Sequence, residues 1–139
     1  MAHQFRCRCL ALFLVCSAVG GCGNSDSNMA PVSGKVLLDG QPLTQGWVTT
    51  LPAAGRGARG LIQPDGSFVL GTDDESDGAV LGLHQVAVAS YAASANRGSE
   101  SGPGKLLVPE KYVNPSTSEL TIDVKADGEN KPVFELSSK

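Results

Sequence analysis

From Val32 to Leu136 no stretch holds a helical apolar period over twelve residues; apolar and polar residues alternate over short runs, broken by Gly, Asp and Pro every eight to twelve positions. Successive side chains of an extended strand point to opposite faces, so this alternation predicts half-buried β-strands. Its clearest instance puts Leu120, Ile122 and Val124 on one side and Thr121, Asp123 and Lys125 on the other. Val32 to Leu38 precedes it, with Val32, Gly34, Val36 and Leu38 on one face, and Asp39-Gly40 turns the chain. Trp47 to Leu51 forms the next strand. Gly60 to Gln63 and Ser67 to Leu70 flank Pro64-Asp65-Gly66, where Pro presets one φ and Gly accepts a positive one. Leu83 to Ser90 and Val133 to Leu136 complete the set, and the Ala-, Ser- and Gly-rich stretch Tyr91 to Lys105 reads as a surface loop. The expected fold is all-β, a seven-stranded antiparallel β-sandwich, because each sheet must bury its apolar face against another.

Cysteine usage determines what must hold such a sandwich together. Cys7, Cys9, Cys16 and Cys22 all lie in the first 22 residues, which leaves no disulfide for a domain that begins after them. Packing has to stabilise it, and residues 31 to 139 supply 25 Val, Leu and Ile for one core. Upstream, Arg6 and Arg8 make a positive n-region, Leu10 to Val19 an apolar h-region, and Gly20-Gly21 the small residues before a cleavage point. That is the layout of an export signal. The apolar run is too short to stay as a span, which takes about 20 residues. Gly23 to Ala30 has the composition of a flexible tether. The cysteines offer no CxxC pair, so a metal centre built from them is not expected.

Val19-Gly20-Gly21-Cys22 resembles the lipobox of bacterial lipoproteins, in which signal peptidase II cuts before the cysteine. The resemblance implies residues 1 to 21 as signal peptide, cleavage between Gly21 and Cys22, a thioether-linked diacylglycerol on Cys22 and a further acyl chain on its freed amine. Each buried methylene contributes about 0.8 kcal/mol, so two or three chains anchor firmly where one does not. A cut elsewhere, as in an ordinary secretory signal, would leave Cys22 as a bare thiol or discard it. Cys16 suits lipidation less well, because Val15 stands where a small residue belongs. Gly23 in place of the Asp that retains many lipoproteins at the inner membrane implies an outer-membrane destination.

A second resemblance covers most of residues 31 to 139. VSGKVLLDGQPLTQGWVT, then LIQPDGSFVLGT and the strand after Gly82, is similar to the carboxypeptidase regulatory-like domain. The tail LVPEKYVNPSTSELTIDVKADGENKPVFEL resembles the ending of small planctomycete-type lipoproteins that carry this module behind a lipobox. The resemblance implies a prealbumin-like, Ig-like sandwich. At Thr50 the family more often has an aromatic or aliphatic residue.

Loss of Arg6 and Arg8 with the signal takes the formal charge from −3 to −5, which argues against nucleic acid as a partner. Attachment to a membrane would rest on lipid alone, since the tether carries only Asp26 and no basic patch. Gly55 to Gly60 matches GxGxxG, yet Leu61-Ile62-Gln63-Pro64 reads as a strand, and a dinucleotide site needs a helix there. Asp73, Glu75 and Asp77 stand at alternate positions before Gly78, a weak calcium candidate lacking the closing Glu, whose place His84 takes. His84 is expected at a strand start with a partly exposed ring. Gly98 to Gly102 imitates a nucleophile elbow but has Glu100 where the serine belongs. The hydroxyisourate-acting enzymes of the prealbumin-like fold use several histidines and a C-terminal Tyr-Arg-Gly-Ser, both missing here. No catalytic residue and no cofactor is expected. Trp47, Tyr91 and Tyr112 are the aromatic candidates for ligand contact, although Pro109-Glu110-Lys111-Tyr112 reads first as a structural crossover that packs Tyr112 on the sandwich edge. The function expected is that of a non-enzymatic, lipid-anchored cell-envelope protein with a structural or interaction module, its envelope protein or glycan partner unidentified; the alternative is an extracytoplasmic carbohydrate- or ligand-binding module.

Overall fold

The computed structural model describes residues 28–93 and 104–139; Cys22 with the stretch expected to be a signal, and the central part of the Tyr91–Lys105 stretch expected to be a loop, lie outside them. Ten strands follow in chain order: β1 (Met29–Ala30), β2 (Ser33–Leu38), β3 (Gln41–Pro42), β4 (Trp47–Pro52), β5 (Ala58–Leu61), β6 (Ser67–Val69), β7 (Ala79–Val80), β8 (Gly82–Ala89), β9 (Leu120–Val124) and β10 (Val133–Leu136). A single 3₁₀ turn, Glu110–Val113, precedes β9, and among the described residues no helix is long and apolar enough to cross a membrane.

The strands form two four-stranded sheets and a two-stranded ribbon. In the first sheet β2 is central, with β10 on one side and β6 and β3 end to end on the other. The second sheet runs β5-β4-β8-β9, antiparallel throughout. β1 pairs with β7, Met29 opposite Val80 and Ala30 opposite Ala79. Asp39 and Gly40 both take positive φ, 49° and 81°, which is the two-residue hairpin turn that matches strand twist. The Pro64-Asp65-Gly66 turn closes with Gln63 N–H donating to the Ser67 carbonyl at 2.8 Å.

One buried cluster takes side chains from both sheets: Val36, Phe68, Phe134 and Leu136 from the first, Val48, Val86, Val88, Ile122 and Val124 from the second. The alternation of each strand explains this directly, since Val48 and Thr50 of β4, or Ile122 and Val124 of β9, are buried while their neighbours are exposed. Phe68 and Phe134 stack with centroids 5.8 Å apart. Gly34, between them on β2, leaves room for the Phe68 ring: a Cβ there would sit 2.7 Å from Cζ.

The structure departs from the expected scheme in two respects. The described residues hold ten strands and not seven, the additional β1, β3 and β7 being two residues long, too short to carry a period. The sandwich is also not wholly antiparallel, because β10 runs parallel to β2. The reason lies in the connection after β9, which delivers the chain to the end where β2 begins. Asn130 pins it there: its amide donates to the Pro31 and Lys125 carbonyls at 3.1 and 3.0 Å, and its oxygen accepts from Lys125 N–H at 3.0 Å. Pairing of Met29 and Ala30 in β1, with Ala30 only 2% exposed, takes these two residues out of the stretch that composition assigns to a tether.

Candidate functional site

Trp47 starts β4 and points outward, 40% exposed. Leu61 of β5 is its cross-strand partner, and Arg59, two residues earlier on the same face, lays its guanidinium carbon 3.9 Å from the Trp47 ring centroid. A cation over an indole face at an exposed site contributes about 0.5–1 kcal/mol, enough to orient the side chain but not to hold it rigidly. The edges of the two sheets meet here, because Arg59 and Gly71 exchange backbone hydrogen bonds of 2.8 and 3.0 Å. Between these edges lies a groove of about 370 Å³, lined by Trp47, Arg59, Leu61, Gln63, Val69 and Glu75 among others. Its wall offers an aromatic face, aliphatic side chains, an amide and one charge of each sign. Among the described residues no carboxylate forms an ion pair with Arg59, so its N–H groups remain available to an acceptor. Such a surface suits a small ligand with an apolar face and polar edges.

The acidic loop resolves into three separate roles. Asp77 accepts backbone N–H groups from Thr72 at 2.6 Å, Asp73 at 2.9 Å and Asp74 at 3.1 Å. Desolvation works to raise its pKa, but those donors outweigh it and hold the carboxyl below its ordinary value of 3.8. Asp73 pairs with Arg56, and Glu75 turns to the Trp47 groove. The calcium candidates Asp73, Glu75 and Asp77 thus have different partners, and no group of three His, Cys, Asp or Glu converges among the described residues.

The remaining sequence candidates distribute as follows. Gly55 to Gly60 enters β5 and no helix follows it, so the GxGxxG spacing carries no phosphate cradle. His84 is fully buried, contrary to the partly exposed ring expected, because β8 turns it inward with Val86. Its Nε2 lies 2.7 Å from the Val80 carbonyl oxygen, which can only accept, so that nitrogen carries the hydrogen and Nδ1 is left without a partner. Thr50 occupies an inward position of β4; its hydroxyl bonds both the carbonyl and the N–H of Ala58, at 3.4 and 3.3 Å. Tyr112 is 6% exposed and its hydroxyl accepts from Ser137 N–H at 3.1 Å, an arrangement that ties the C-terminus to the 3₁₀ turn and leaves no ring face for a ligand. Tyr91, 40% exposed, pairs with Leu106 in an isolated antiparallel bridge. The Gly98–Gly102 segment lies outside the described residues, as do Gly21 and Cys22.

Trp47 stands in a groove whose companions Arg59 and Gln63 are not singled out by sequence spacing. The signal available for Arg59 was its place on the outward face of β5, visible only once the β4–β5 register is known. Comparison with family models, with curated proteins and with solved structures finds no match to this chain.

Proposed function

We propose that this chain is a non-enzymatic cell-envelope lipoprotein, anchored through lipid on Cys22 and carrying a prealbumin-like β-sandwich of the carboxypeptidase regulatory-like kind as a structural or interaction module. The observation that carries the reading is the Val19-Gly20-Gly21-Cys22 run behind a stretch with the layout of an export signal, six residues ahead of Asn28. A mature protein that starts at Cys22 would then carry its lipid on a short tether ahead of this domain. The buried polar side chains support a scaffold: Thr50, Ser90 and Ser118 bond backbone groups of neighbouring segments, and His84 bonds Val80. The missing inner-membrane retention residue at position 23 favours the outer membrane. Intact-mass measurement of protein extracted from membranes tests the reading. A chain starting at Cys22 with added acyl mass is expected; a Cys22 start without it, or a retained leader, overturns it.

The Trp47 groove favours a second reading, an extracytoplasmic carbohydrate- or ligand-binding module. Arg59 stacked on the indole, with Gln63 and Glu75 nearby, supplies the polar edges that a sugar needs beside an aromatic face. Trp47 is the only tryptophan, so its emission reports on this groove alone. Titration with a panel of envelope glycans should change that emission for a true ligand, and binding measured by calorimetry should fall at least tenfold in Trp47→Ala. A flat response across the panel ends this reading.

A further inference from the structure

The exposed apolar side chains at one end of the second sheet lie beside the point where the tether leaves the domain. Leu51, Pro52, Ala53 and Leu83, with Gln85, surround a shallow hollow of about 310 Å³, and Leu83 and Leu51 are 63% and 51% exposed. The N-terminal chain enters next to them. Asn28 accepts a hydrogen bond from Leu81 N–H at 2.9 Å, and Met29 pairs with Val80. The turn after β4 packs on the same spot: a Cβ at Gly55 would lie 3.6 Å from the Val80 side chain. The hollow and the chain entry therefore share one end of the molecule.

Reach makes this placement informative. Cys22 precedes Asn28 by six residues. At most about 3.6 Å per residue separates consecutive positions of any chain, so the two α-carbons are within about 22 Å whatever path the tether takes. Two charged pairs lie at this end. Asp123, opposite Leu83, lies 3.8 Å from Lys125 Nζ, and Arg56 pairs with Asp73. An apolar surface held this close to a bilayer has a high effective concentration of headgroup and acyl interface, so even a weak contact is populated.

We propose that Leu51, Pro52, Ala53 and Leu83 form a membrane-resting face, which seats the domain on the bilayer that anchors it. The proposal rests on the Cys22 lipid reading. Trp47, at the opposite end of β4, is four residues and about 13 Å from Leu51, so the groove would stand away from the lipid surface.

The test uses the full chain, acylated in a bacterial host, extracted and reconstituted into phosphatidylcholine vesicles with plain or brominated acyl chains. Three forms are compared: the natural chain with Trp47 alone, Leu83→Trp in a Trp47→Phe background, and Val133→Trp in the same background. Val133 is 57% exposed on the other sheet and controls for any attraction of an added indole to lipid. Brominated chains are expected to halve the emission at position 83, about a twofold loss, and to change the other two by less than about a tenth. Equal quenching at 83 and 133, or none at 83, overturns the proposal while leaving the anchor intact. A blue-shifted emission at 83 without bromine quenching, together with a cross-linked dimer, assigns the face to a second copy of the chain and also overturns it. Intact mass measured on the same sample separates the two failures, since a chain without acyl mass overturns the anchor reading and this inference together.

Discussion

Asp77 uses its charge to close its own loop, and that makes the loop sensitive to acid. Its carboxyl titrates below the ordinary value because the Thr72, Asp73 and Asp74 N–H groups favour the ionised form. A depressed folded-state pKa gives stability that is present above the unfolded value, about 3.9, and lost as pH falls through the folded one. Asp77→Asn should therefore lower the thermal midpoint at pH 7 by a few degrees and narrow the gap to the natural protein below pH 4, checked by calorimetry across that range. Gly34 makes the opposite demand, for space. A Cβ there would meet the Pro132 carbonyl at 2.3 Å and the Phe68 ring at 2.7 Å, so Gly34→Ala should cost about 1–3 kcal/mol in urea unfolding. At this scale sequence reading was uneven for a physical reason. Asp39-Gly40 was legible because few other pairs tolerate two positive φ values in succession. The Thr72–Gly78 loop was not, because alternate carboxylates suit a cation or the chain's own N–H groups equally, and only the backbone path decides between them.

β10 shows how an element can be recognised and still be misplaced. Its period was readable, with Phe134 and Leu136 inward, and both are buried at 5% and 3% exposure. Its direction was not, because alternation is the same for parallel and antiparallel neighbours. The parallel pairing follows from a crossover held by Asn130, a contact between residues 99 positions apart in sequence. Phe134 stacks on Phe68 of β6 across β2, which locks the sheet together through its core face. Phe134→Ala should destabilise by about 3–5 kcal/mol, and a loss under 1 kcal/mol in denaturant unfolding would contradict this packing. β5 slid for a related reason. Expected over Gly60 to Gln63, it occupies Ala58–Leu61, since Thr50 bonds both backbone groups of Ala58 and Gln63 already belongs to the hairpin turn.

For the whole molecule, the proposed lipid anchor and the domain make separate predictions. Cys22→Ser should move the protein from the membrane to the soluble fraction with its unfolding midpoint unchanged, because it alters no residue of the core cluster described from Ala30 onward; fractionation followed by thermal melts checks both. The chain by itself determined an all-β domain with its inward residues, most of its turns and a core free of disulfides, since alternation, turn chemistry and cysteine count are local properties that each residue carries wherever it lies. Only the tertiary structure decided that β10 runs parallel, that His84 is buried, that Arg59 stacks on Trp47 and that Leu51 and Leu83 flank the chain entry. Those are juxtapositions of residues distant in sequence, and they depend on register and crossover direction, which alternation leaves free.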